Sequence, residues 1–301
     1  MRRVVRTDLL ERGRLGEFET TPLGVGTARL GAFWQKRGIS EGTSALSQAL
    51  DMGVGLVDTA DVYARGISER IVGRVVRTRP DTVVMTKVGL LKTPVGLVSA
   101  TFGGDHRPGM GGLRAAGRAD TCFSPKYVRE AARRCLKRQG RDELDILLLH
   151  EPHAADLQCD DVVGELNRMK QSGMIRAWGA SVRDADAARA LLEAPGATWL
   201  QIPVNLGDTS TLETVRSHPG RDRVTTVGIA VLGDGTLMRR AAASGMDGPR
   251  IVATLVEGVH RMDGVDAVLL GMSTPRHVRD NIGAIARGAV EHDIRRLEET
   301  L

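Results

Sequence analysis

Eight short apolar runs, each followed by a longer amphipathic segment, leave few folds open to this 301-residue chain. The runs are PLGVGTARL (22–30), GLVDTA (55–60), TVVMTKVG (82–89), LDILLLHE (144–151), IRAWGASV (175–182), WLQIPVN (199–205), VTTVGIAVL (224–232) and AVLLGMS (267–273). Segments such as TSALSQALDMG, ISERIVGRVVRTR, SPKYVREAARRCLKRQG, CDDVVGELNRMKQSG and PRHVRDNIGAIARG repeat apolar residues every three or four positions, and most close on Gly, as helices with one buried face do. Apolar strands alternating with helices predict buried parallel strands joined by right-handed crossovers. Eight such units suit a closed (β/α)8 TIM barrel, an α/β fold that takes about 250 residues plus extensions. An open doubly wound sheet is disfavoured: GVGTARLG lacks Gly-x-Gly-x-x-Gly spacing, and no clean acidic ribose partner follows about 20 residues on. We expect a single barrel domain over residues 1–301, with its core over about residues 20–288.

Composition narrows the function. With 42 % hydrophobic and 26 % charged residues and no long uncharged apolar run, the chain reads as a globular protein without a membrane span. In MRRVVRTDLLERGRLGEFE the charges interrupt any signal-like apolar stretch, so we expect a cytoplasmic protein. Cys122, Cys135 and Cys159 lack metal-ligand spacing, and no metal site is expected. The net charge of +5 is interspersed with acidic residues, and four Phe, three Trp and two Tyr offer little for base stacking, so a nucleic-acid partner is not expected.

One segment breaks the rhythm. Residues 91–123, LLKTPVGLVSATFGGDHRPGMGGLRAAGRADTC, are Gly-rich and aperiodic until Ser124 and Pro125 restart a helix as N-cap and first turn. This long Gly-rich loop after the third strand would hang over the catalytic end of a barrel, as a substrate-side flap.

Barrel catalytic groups sit at the C-terminal ends of strands. Here Asp58 ends the second strand, with Tyr63 in the loop after it; Lys87 ends the third and His150 the fourth. Singly each has a plain alternative: Asp58 caps a turn, Lys87 snorkels to solvent, His150 is a core histidine. Together they make a general-acid site, in which an ammonium lowers the phenol pKa from about 10, a carboxylate pairs the lysine and an imidazole holds the substrate oxygen. Such a site protonates a carbonyl oxygen during hydride addition. Asp61 reads as a solvated residue of the turn.

The motifs DTADVY, MTKVG, LLLHEPH, WGAS, LQIPVN and GMSTPRHVRDN, in this order on successive strands, resemble those of the aldo-keto reductases over about residues 20–288. The resemblance implies a (β/α)8 barrel that binds extended NADPH (NADP+) without a Rossmann domain. It implies Tyr63 as proton donor, Lys87 as its pKa-lowering neighbour, Asp58 as the partner of that lysine and His150 as the group orienting the carbonyl. Ser181 and Gln201 would hold the nicotinamide carboxamide, with Gly26, Thr27 and Asp58 also near the cofactor. In the last motif Thr274 and Pro275 read as an N-cap and first helical residue, whose dipole end suits a phosphate. Ser273, Arg276, Arg279 and Asn281 of that motif would bind the cofactor, the arginines at its 2′-phosphate. The chain departs from the family at Ile229, where an aromatic residue or arginine is usual, at Val182, where Asn is, and at His277, where the arginine is. The connection between the last two strands also reads as short.

The expected activity is NADPH-dependent reduction of a small-molecule carbonyl to an alcohol, or the reverse, by a monomer or weak homo-oligomer. The alternative keeps the same four groups for non-redox acid-base chemistry, a dehydration or cyclisation. A binding protein on the same scaffold is disfavoured by the intact set of four. Phe33, Trp34, Phe102, Phe123 and His153 are the expected pocket candidates, beside a polar Asp105, His106 and Arg107.

Overall fold

The computed structural model describes residues 8–30, 39–91, 120–289 and 291–298. Eight parallel strands close a barrel: β3 (Leu23–Gly26), β4 (Leu56–Asp58), β5 (Val83–Val88), β8 (Leu144–His150), β9 (Ile175–Ser181), β10 (Trp199–Pro203), β11 (Thr225–Ile229) and β12 (Ala267–Gly271), with β12 pairing back onto β3. Among the helices around it are α1 (Ile39–Asp51), α2 (Ile67–Val76) and α3 (Pro125–Gln139). After β8 come α4 (Ala154–Leu157), α5 (Asp160–Gln171), α6 (Ala185–Glu193) and α7 (Ser210–Ser217). Then follow α8 (Thr236–Ala241), α9 (Gly248–His260), α10 (Pro275–Ala286) and α11 (Glu291–Glu298).

Successive side chains on a strand point to opposite faces, so each strand divides its residues between two cores. Leu56, Val83, Met85, Ile146, Leu148, Ala177, Trp199, Val227, Ala267 and Leu269 fill the barrel interior. Their neighbours, Val57, Val84, Leu147, Trp178, Leu200 and Val268, face outward and pack in the helix-side cluster.

A short hairpin that the strand pattern did not announce, β1 (Gly13–Leu15) and β2 (Phe18–Thr20), closes the N-terminal end of the barrel. Leu15 and Phe18 join the interior cluster, and the Phe18 ring lies 5.9 Å from that of Trp199. Between them Glu17 accepts from Thr198 Oγ1 at 2.7 Å and Trp199 Nε1 at 2.9 Å. Phe18→Ala is expected to cost about 3 kcal/mol of stability by opening this plug; urea denaturation measures it.

The segment expected as a loop over 91–123 begins and ends as paired strand. Leu90–Leu91 (β6) and Asp120–Thr121 (β7) form an antiparallel pair, and Cys122 and Phe123 after it are buried. The residues between, including Phe102, Asp105, His106 and Arg107, lie outside the described residues, as do Phe33 and Trp34. The connection from β11 to β12 is not short. It runs from 230 to 266 through α8 and α9, and only the β5 to β8 crossover exceeds it.

Candidate active site

The period of two that fills the barrel also builds the site. Leu56, Met85, Leu148 and Trp199 point inward, so Asp58, Lys87, His150 and Gln201, two residues further on, point inward as well. The same parity puts Ser181 after Ala177 and Gly179, and Ile229 after Val227. Gly26 and Gly271 complete the layer on β3 and β12, where they face each other across the ladder. One residue per strand thus makes a ring with charged groups on one side and two glycines on the other. Among the described residues, a Cβ on Gly26 would find nothing nearer than 3.9 Å and one on Gly271 nothing within 4 Å, so they leave this side of the rim as an open shelf.

Tyr63 reaches the ring because the chain leaving β4 keeps pairing with β5. Thr59 N–H donates to Met85 O at 2.9 Å and Asp61 N–H to Lys87 O at 3.0 Å, before Tyr63 N–H closes a turn on Ala60 O at 3.1 Å. The phenol is delivered above Lys87, its ring edge-on to His150 with centroids 5.9 Å apart.

Lys87 is buried and spends all three of its protons. Nζ donates to Asp58 Oδ1 at 2.5 Å, to Tyr63 Oη at 3.1 Å and to Thr59 O at 3.2 Å. Gln201 Nε2 donates to the same Asp58 oxygen at 2.7 Å. Burial works against the ammonium, but the Asp58 charge and the bonds to Asp58 and Tyr63 outweigh it, and the Lys87 pKa lies above its ordinary value. For Tyr63 the balance runs against expectation. Burial raises its pKa more than Lys87 lowers it, and Asp58 and Glu151 raise it further, so the net direction is up. The site therefore holds a protonated phenol beside an ammonium, with Oη accepting from lysine and its own hydrogen left to donate elsewhere.

A match to the model of the Aldo/keto reductase family covers residues 22–247, most of the chain. The chain belongs to the aldo/keto reductase family. A D-threo-aldose 1-dehydrogenase from Pseudomonas is 30 % identical over 185 residues, 57 % of this chain and 53 % of that protein. The chain thus spans about half the length of this curated relative. An aldo-keto reductase from Bacillus halodurans, solved in a holo form, superposes with a TM-score of 0.73 at 19 % identity, covering 96 % of this chain and 95 % of that one. One from Klebsiella pneumoniae, solved with NADP and acetate, gives 0.70 at 20 % identity, covering 96 % and 94 %. At these identities the structures establish the shared fold.

Other expected site residues of this aldo/keto reductase fall in two groups. Ser181 is buried and in register with both His150 and Gln201. Gln201 is 1 % exposed, and among the described residues its Oε1 has no hydrogen-bond partner. A buried acceptor left open at the ring fits a carboxamide donor such as nicotinamide carries. Thr27 is turned toward α2, away from the ring: its N–H and Oγ1 donate to Asp58 O at 2.9 and 2.8 Å, and its hydroxyl meets Ser68 Oγ at 2.7 Å. The second group lies beyond β12. Thr274 caps α10, accepting from His277 N–H at 3.1 Å, with Pro275 in the first turn. Ser273 and Asn281 are half-buried, whereas Arg276 and Arg279 are exposed, Arg276 lying 3.4 Å from Asp280.

Asp61 is not a solvated loop residue. The residue is half-buried, its Oδ1 is sealed from water without a partner among the described residues, and burial, with the Glu69 charge, pushes its pKa up to about 7. Glu69, fully buried on α2, accepts from Thr86 Oγ1 at 2.7 Å, Gln139 Nε2 at 3.1 Å and Arg138 Nε. Sequence reading missed this pair, although an acid among the apolar positions of ISERIVG was the available signal. Phe123 packs in the helix-side core, and His153 caps α4. Among the described residues the four non-glycine left-handed conformations, Ala64, Arg65, Glu151 and Ala230, directly follow Tyr63, His150 or Ile229. Backbone strain is concentrated at this rim.

Proposed function

We propose that the protein is an oxidoreductase that interconverts a small-molecule carbonyl and its alcohol with NADPH, Tyr63 giving the proton. The observation that carries this reading is the direction of one hydrogen bond. Lys87 donates to Tyr63 Oη, so the phenol offers its hydrogen to a substrate oxygen, and the ammonium receives the charge that the departing proton leaves on Oη. Asp58 keeps Lys87 charged and in place. His150, edge-on to Tyr63, orients the same oxygen.

When bound, the cofactor supplies the hydride. Gln201 and Ser181 would hold its carboxamide, the Gly26 and Gly271 shelf would take its body, and Ser273, Arg276, Arg279 and Asn281 would receive the 2′-phosphate end. The NADP bound by the Klebsiella protein and the dehydrogenase activity in the name of the Pseudomonas one support the use of a nicotinamide cofactor.

Fluorescence titration with NADPH and, separately, NADH tests it. Arg276→Ala and Arg279→Ala are each expected to weaken NADPH about tenfold, roughly 1.4 kcal/mol, with little effect on NADH. Binding of neither nucleotide would refute the redox reading and leave acid-base chemistry at the same four residues.

A further inference from the structure

The catalytic loop rests on a second group of ionisable side chains that the reaction itself does not use. Asp61 lies two residues before Tyr63, and its N–H is bonded to the carbonyl of Lys87, which ties it both to the turn carrying the phenol and to the strand carrying the lysine. Its carboxyl is directed away from the ring, toward α2 and α3. The groups that act on it or on its neighbours there are Glu69 from α2 and Tyr127, Arg134, Cys135 and Arg138 from α3, with Cys122 at the end of β7. From β5, Thr86 is bonded to Glu69, and the Lys87 ammonium is turned inward to Asp58.

The cations in this group are largely committed. Arg138 pairs with Glu69 through Nε, and its Nη2 lies 3.3 Å from Cys135 Sγ. Arg134 stands over the Tyr127 ring at 5.6 Å. Glu69 takes bonds from three side chains, whereas Asp61 Oδ1 takes none. Glu69 is thus the better satisfied of two neighbouring carboxyls, while Asp61 has the Val62 N–H and a bare Oδ1, which favours the neutral form of Asp61.

The loop above is closed by turn bonds from Tyr63 N–H to Ala60 O and from Arg65 N–H to Val62 O, yet it holds a strained backbone. Ala64 and Arg65 are held at φ 48° and 55°, which an L-residue adopts only under packing constraint. Gly66 ends the loop against Arg138, whose Cδ would be 2.5 Å from a Cβ placed there. The Glu69–Arg138 pair is thus the floor on which the Tyr63 turn stands.

We propose, on the reading of Tyr63 as the acid, that Asp61 is a positioning residue: neutral, it lets the turn settle on the Glu69–Arg138 floor, and ionised, it lifts the turn and displaces Tyr63. The change falls in the neutral range, because burial and Glu69 outweigh Arg138 and Arg134 and move Asp61 from 3.8 to about 7. The linkage has a definite sign. A carboxyl whose folded pKa is raised costs nothing below its unfolded value, and the penalty grows as pH rises to the folded value. The native state should therefore lose stability between about pH 4 and pH 7 on account of this one group.

The chain has only two tyrosines, Tyr63 and Tyr127, which makes the position of Tyr63 readable without turnover. In protein labelled with 13C-tyrosine, the resonance lost in Tyr63→Phe identifies it. The expected result is a Tyr63 shift that titrates with a midpoint near 7 in the wild type and is flat across the neutral range in Asp61→Asn. Glu69→Gln, which removes the like charge, should move the midpoint to lower pH. With a carbonyl substrate, Asp61→Asn should abolish the fall in kcat on the alkaline side while KM for NADPH stays unchanged, and its melting temperature should exceed that of the wild type at pH 8 but not at pH 4. A Tyr63 resonance that ignores pH in the wild type, or titrates identically in Asp61→Asn, overturns the proposal even if NADPH is consumed. A titrating resonance in a protein that consumes no NADPH instead retains the positioning role and rejects the reductase reading.

Discussion

Tyr63→Phe is expected to lower kcat for carbonyl reduction by about 10²- to 10⁴-fold, the range that a positioned general acid contributes. The ring remains beside His150 and only the hydroxyl goes, so NADPH should bind as before and KM should move little. Stability should fall by about 1 kcal/mol, the worth of one hydrogen bond from Lys87. Steady-state kinetics beside a cofactor titration separate these effects. A variant that retains near-normal kcat would show that the proton comes from another group, with His150 the nearest alternative on the ring.

The second large effect is expected at Lys87. Lys87→Met removes the cation from a buried pair and strands Asp58, which still accepts from Gln201 but has lost its counter-charge. Breaking such a pair from one side costs about 3–5 kcal/mol, and activity should vanish with it. The double variant Asp58→Asn with Lys87→Met leaves no stranded charge and should regain much of the stability while remaining inactive. Urea denaturation of Lys87→Met, Asp58→Asn and the double variant closes the cycle; losses in the two single variants that sum to the loss in the double variant would show that the pair is not coupled. Because the Lys87 pKa is raised on folding, its contribution is whole below about pH 10.4, the ordinary lysine value, and is lost only as pH climbs through the raised one.

Much of this could be read from residues alone, for a physical reason. Strand parity is a property of the covalent chain, so once LVD, MTK and LLLH are strands, Asp58, Lys87 and His150 must share a face, and the inward layer follows without coordinates. Thr274 and Pro275 were legible as a helix start for the same kind of local reason. The net direction of the Tyr63 pKa was not, because it is a contest between a nearby charge and burial, and burial is a tertiary property. Asp61 was misread on the same ground: a carboxylate in a turn is usually solvated, and the burial and neighbouring charges that act on this one are tertiary properties. The hairpin at 13–20 escaped notice because strands of three residues are too short to show alternation.

That hairpin has a consequence for turnover. With Phe18 and Trp199 packed 5.9 Å apart across the lower end, the described residues leave the ring end of the barrel as the way in. On the proposed reaction, the proton that Tyr63 gives up must be replaced from water arriving by the path along which the product leaves. Recharging of the acid and departure of the alcohol then compete for one passage, and a bulky product would delay both together.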